Sequence, residues 1–115
     1  MGLGACGAPL ARVRADAEAV RERTVPPGGW LAAASPLRRD GHSARASWRV
    51  ETELAWSAYA PWVEQQLGEF RVAERGRGLL RLSRQLEGDL YVLALVARPG
   101  SRGLTVEASF EALPF

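Results

Sequence analysis

A chain of 115 residues, 47% apolar and 24% charged, is long enough for one hydrophobic core and too short for two, and this composition excludes wholesale disorder and collagen-like repeats. One Cys excludes an internal disulfide, one His excludes a multi-histidine metal cluster, and no apolar run reaches the roughly 18 to 20 residues of a membrane-spanning helix. The formal net charge is +2, and all fifteen cations are Arg, with Lys, Ile and Asn absent. Those three residue types have AT-rich codons, so a high-GC bacterial genome accounts for the arginines. Thirteen acidic residues are interleaved among them, so there is no basic stripe of the kind that nucleic-acid binding needs, and no nucleic-acid partner is expected.

In chain order, Leu3-Gly4-Ala5-Cys6 comes first: an apolar residue, two small residues, then the only Cys. Small side chains before the cleaved bond let an extended backbone enter a peptidase cleft, and the thiol that follows is the atom that receives diacylglycerol. Over these four residues the chain resembles small bacterial envelope lipoproteins. The resemblance implies a lipid on Cys6, attachment to a membrane through that lipid, a domain facing the periplasm or cell exterior, and another envelope protein as partner. A complete signal also has a basic start and an apolar core of about 7 to 15 residues before the cleavage site. Only Met1 and Gly2 precede Leu3, so this reading expects coding sequence upstream. Otherwise Cys6 is an ordinary thiol of a cytoplasmic protein. Residues 1–7 form this segment and residues 8–115 a single domain.

Ala8 to Arg23 reads as a helix with one narrow apolar stripe, Leu10, Val13, Ala17 and Val20, and two i,i+4 pairs, Arg12/Asp16 and Arg14/Glu18. Pro26-Pro27-Gly28-Gly29 ends it. Trp30 to Ser35 is a short strand candidate broken by Pro36, and Leu37 to Ser43 a polar loop. Ala44 to Leu54 alternates cleanly: Ala44, Ala46, Trp48, Val50, Thr52 and Leu54 face one way, Arg45, Ser47, Arg49, Glu51 and Glu53 the other. Trp56 to Gly68 reads as a second helix, with Ser57 as cap, Pro61 in the first turn and Gly68 as the left-handed stop. Glu69 to Glu74 and Leu79 to Leu86 are strand candidates, and Glu87-Gly88 is a hairpin turn. Asp89 to Arg98 is apolar on both faces and so predicts a central strand covered above and below. Pro99-Gly100 predicts a type II turn, and from Leu104 to Ala112 the chain alternates again. The expected order is α-β-β-α-β-β-β. That is an α+β domain in which an N-terminal helix precedes a curved antiparallel sheet of about five strands wrapped on one helix, like a cystatin-like roll, with a ferredoxin-like sheet as the alternative.

Chemistry is harder to find. Asp40, His42 and Ser43 adjoin in sequence, but triads are assembled from distant segments, so adjacency is no support. Glu51 and Glu53 share a wet strand face, and Gly76 and Gly78 lie between strands rather than before a helix, where a phosphate loop would be. No catalytic residue, metal or cofactor is expected. Trp56, Tyr59 and Trp62 are the aromatic concentration: either they fill the core, or the side of the helix beside Trp62 borders a groove for an apolar ligand or partner. Two functions follow. One is a non-catalytic accessory or binding lipoprotein of a bacterial envelope. The other is a small soluble ligand-binding domain with its pocket between the helix 57–68 and the sheet.

Overall fold

A computed structural model describes residues 10–113; Cys6 lies outside them. The elements are α1 (Leu10–Glu22), β1 (Trp30–Asp40), β2 (Ser43–Thr52), α2 (Trp56–Gln66), β3 (Arg71–Gly76), β4 (Leu79–Leu86), β5 (Asp89–Pro99) and β6 (Leu104–Leu113). All six strands form one antiparallel sheet in the order β1-β2-β6-β5-β4-β3. The α+β class and the antiparallel sheet agree with the sequence. The expected order α-β-β-α-β-β-β with about five strands is corrected to α-β-β-α-β-β-β-β with six, because Arg71–Gly76, Leu79–Leu86, Asp89–Pro99 and Leu104–Leu113 each pair as a separate strand after α2.

The alternation read in sequence is realised over residues 44–52 of β2 and 106–112 of β6, while Leu54 lies past the end of β2 and Thr105, on the outer face, is buried. Ala44, Ala46, Trp48 and Val50 are buried opposite Ala112, Phe110, Ala108 and Val106. Tyr91, Leu93 and Leu95 of β5 and Leu80 and Leu82 of β4 extend this inner face. Both helices close it, not one. Val13, Ala17 and Val20 of α1 are buried there beside Tyr59, Val63 and Leu67 of α2 and its flank. Thr24, just past α1, joins the layers: Trp48 Nε1 donates to its Oγ1 at 2.9 Å, and Tyr59 OH donates to its carbonyl at 2.6 Å. Tyr91 OH donates to Asp16 Oδ2 at 2.6 Å, so Asp16 serves the sheet, and neither expected i,i+4 pair of α1 closes to an ion pair.

Several local expectations are corrected. Leu37 to Asp40 is strand, not loop: register shifts between Leu31/Ala33 and Ser35/Arg38 absorb Pro36, whose missing N–H is tolerated at a sheet edge, and let Leu37 turn into the core. Helix α2 begins after Ala55 with no side-chain cap, so Ser57 is helical, and Pro61 is an interior residue. The carbonyl that Pro61 leaves without a donor belongs to Ser57, which is exposed to water. Leu67 closes α2 at φ −110, and Gly68 is not left-handed. Gly88 is left-handed, φ +83, in the expected hairpin, but Gly100 is not, so the chain turns through Pro99 to Gly103 with Gly100 N–H donating to Gly103 O.

Strand β5 gives the most consequential correction. It lies between β6 and β4 and is apolar on both faces, yet helices cover only one of them. Val92 and Ala94 are half-buried and Val96 is 49% exposed.

Candidate functional site

Among the described residues no element covers the outer face of the sheet, and its chemistry is arranged in rows across the strands. The central row is small: Ser35, Ser47, Ser109 and Ala94 stand side by side on β1, β2, β6 and β5. On one side runs Arg49, Glu107 and Val96, and on the other Arg45, Glu111 and Val92. Glu107 accepts from Arg49 at 3.2 Å and from Arg98 at 2.6 Å. Glu111 accepts from Arg45 Nε at 3.0 Å, with Asp40 also 3.6 Å from that guanidinium. Long paired side chains thus wall a trough floored by small ones. Over its β1 end opens a concavity of about 780 Å³, lined by Ser35, Pro36, Arg38, Arg45, Ser47 and Ser109 among others. Toward β4 the face turns apolar, with Val92 and Val96 flanking Ala94 and Leu79 of β4 paired with Val96.

The β1 edge adjoins this trough. From Trp30 to Ser35 it carries no charge, all six residues are exposed, and Trp30 is 39% and Leu31 37% exposed. Arg102 lies over the Trp30 ring, 5.4 Å from its centroid.

The aromatic residues singled out from sequence form a ridge along α2. Tyr59 is fully buried at its centre, 6.0 Å from the rings of both Trp56 and Trp62, which are half-buried. Burial raises the Tyr59 hydroxyl pKa well above its ordinary value. A groove of about 230 Å³ does run along this helix, lined by Trp56, Ala60, Pro61 and Glu64 and by Arg75, Gly76, Leu79 and Leu80. Trp62 is not among its lining residues. Glu64 and Arg75 bridge it with two hydrogen bonds, 2.7 and 2.9 Å.

His42 sits exposed at the tip of the β1–β2 hairpin, and the Ser43 hydroxyl donates to the Asp40 carbonyl at 3.1 Å, so the Asp40-His42-Ser43 run forms a turn rather than a triad. Glu51 accepts from Thr105 at 2.8 Å, while Glu53 is exposed beyond the end of β2. Among the described residues no three His, Cys, Asp or Glu side chains gather as a metal site, and no helix is long and apolar enough to cross a membrane. Sequence reasoning missed the trough. Alternation places Ser47 and Ser109 on a wet face, but their adjacency depends on a register between strands about 60 residues apart.

Two carboxylates tie the helices down. Hydrogen bonds from Arg23 to Glu69, at 2.6 and 3.0 Å, hold that carboxyl below its ordinary pKa, as Arg75 does for Glu64. Both folded-state values are depressed, so the stability they supply is present above the unfolded pKa, near 4.3, and is lost as pH falls through the folded values. Urea midpoints of the native chain should therefore fall as the pH is taken below about 5. Glu69→Gln should flatten that drop, with a cost at pH 7 within about 1 kcal/mol because the pair is partly exposed. An unchanged pH profile in Glu69→Gln would show that the Arg23 pair contributes nothing to folding.

No family profile matches this chain, and no curated protein or solved structure is significantly similar to it.

Proposed function

We propose that this chain is a non-catalytic binding domain of a bacterial cell envelope, which offers the open side of its sheet to another protein and is held at the membrane by a lipid on Cys6. The binding role rests on one observation. Among the described residues two helices cover the inner face of the sheet and no element covers the outer one, although β5 brings Val92, Ala94 and Val96 to it. Apolar side chains left together on an open sheet face are a common mark of an interaction surface. The placement at the envelope rests on Leu3-Gly4-Ala5-Cys6.

A second reading, a small soluble ligand-binding domain, draws on the groove beside Trp56. At about 230 Å³ it falls below the roughly 300 to 1,000 Å³ of most small-molecule sites, and the open sheet face is the better supported surface.

A photo-cross-linking residue in place of Ser109, at the centre of the trough, should trap a protein partner in the bacterium of origin. The same residue in place of Ala58, exposed on α2, should not. Equal adducts at both positions, or none at 109, would remove the outer-face reading. Separately, the product of the whole reading frame should incorporate an alkyne-tagged fatty acid and lose the label in Cys6→Ser. An unlabelled product overturns the anchor and leaves the binding role standing.

A further inference from the structure

The two edges of the sheet differ in how they meet solvent. β3 is short, has a register shift between Val72 and Glu74, and carries Arg71, Glu74 and Arg75. These are ordinary devices that stop another strand from adding. β1 has a register shift of its own, between Leu31 and Ala33, but Trp30–Ser35 is uncharged, free of proline and exposed throughout, a stretch of about 20 Å at 3.3 Å per residue. Past that stretch the surroundings turn positive on both faces of the sheet. Arg38 stands directly opposite Arg45 on β2, a like-charge pairing that is unfavourable by itself. Arg45 is turned to Glu111 and Asp40. Arg38 makes no ion pair among the described residues. On the inner side, Arg14 and Arg21 of α1 border the narrow cleft that separates the helix from Ser35, Pro36 and Leu37. They too make no ion pair there, and Glu18 is the one carboxylate lining that cleft.

We propose that the β1 edge takes up an extended acidic peptide segment of a partner protein as a seventh strand. This rests on the binding-domain reading and names its partner's chemistry. Backbone hydrogen bonds to Trp30–Ser35 supply sequence-tolerant affinity, and Trp30 and Leu31 supply apolar contact. Side chains of an added strand alternate between the faces of the sheet. Carboxylates on one side of the peptide meet Arg38, and those on the other meet Arg14 and Arg21. Charge-assisted hydrogen bonds to guanidinium groups then fix both the register and the preference for acidic sequence.

The probe is a short fluorescein-labelled peptide alternating threonine and glutamate, titrated with the full chain and read by anisotropy. It should bind, and its threonine–lysine counterpart should bind at least about tenfold more weakly, as should the acidic peptide with Arg14→Glu/Arg38→Glu, a loss of about 1.4 kcal/mol or more. Among the described residues neither Arg14 nor Arg38 is ion-paired, so the thermal midpoint of that variant should match the native one. Two versions of the peptide, N-methylated at alternate residues in opposite phase, test strand addition itself. One should lose binding and the other keep it, because a strand pairs through one edge. Equal binding of the acidic and lysine peptides, or of the two methylated versions, overturns the proposal. A concentration-dependent dimer in sedimentation that Ala32→Pro abolishes also overturns it, since a second copy would then occupy the edge. If no peptide binds while position 109 still cross-links a partner, this proposal falls and the binding domain stands.

Discussion

Leu95→Ala is expected to lower the unfolding free energy by about 2 to 5 kcal/mol, a large part of the 5 to 15 kcal/mol that holds a domain together. Leu95 is fully buried on β5, paired with Leu80 on β4 and Ala108 on β6, on the face that both helices cover. Truncation removes its transfer free energy. It also leaves a cavity that neighbours on three strands cannot collapse into without breaking register. The control lies on the opposite face. Glu107→Ala removes two hydrogen bonds, from Arg49 and Arg98, but its side chain is 40% exposed and so are those of its partners or more, so the cost should stay within about 1 kcal/mol. Urea titrations of the two variants, with m held in common, measure the difference. Equal shifts in midpoint would mean that β5 is not oriented with Leu95 inward.

Thr24→Val should cost about 1 to 3 kcal/mol, although the two side chains have nearly the same shape. The Thr24 hydroxyl accepts from Trp48 Nε1 at 2.9 Å and donates to the Arg21 carbonyl at 2.7 Å, and the residue is fully buried. Valine leaves the indole N–H dehydrated and without an acceptor, and that desolvation dominates over the loss of the bond itself. Thr24→Ser should retain most of the stability. In a Trp48→Phe background, where no indole N–H needs an acceptor, Thr24→Val should cost less, and a double-mutant cycle by urea denaturation reads the coupling. Additive costs would show that the Trp48–Thr24 bond does not hold α1 to the sheet.

These variants act through different parts of what can be read in the residues. That Leu95 belongs to a strand, and that Val50 and Val106 share a face with their neighbours at i±2, is local: side chains of a strand alternate whatever the strand pairs with. So β2, β4 and β6 were legible, as was α1 from its Val13, Ala17, Val20 stripe. Trp48 was legible as a core residue for the same reason. Thr24 was not: it lies in a turn where no periodicity applies, and its role comes from Trp48 and Tyr59, 24 and 35 residues away.

By itself the sequence determined the class of the fold, most of its strands and the polarity of their faces, because hydrophobic period and turn chemistry are properties of adjacent residues. It also determined that Glu107 and Arg49 would meet water. Only the tertiary structure decided that β6 inserts between β2 and β5, that α1 closes the core beside α2, and that the outer face of β5 stays open although it is as apolar as a covered one. It alone brought Ser35, Ser47, Ser109 and Ala94 into one trough and left β1 as a bare edge among arginines. Strand neighbours, register and helix placement are chosen by the burial they jointly achieve across the whole chain, and no local pattern encodes that choice.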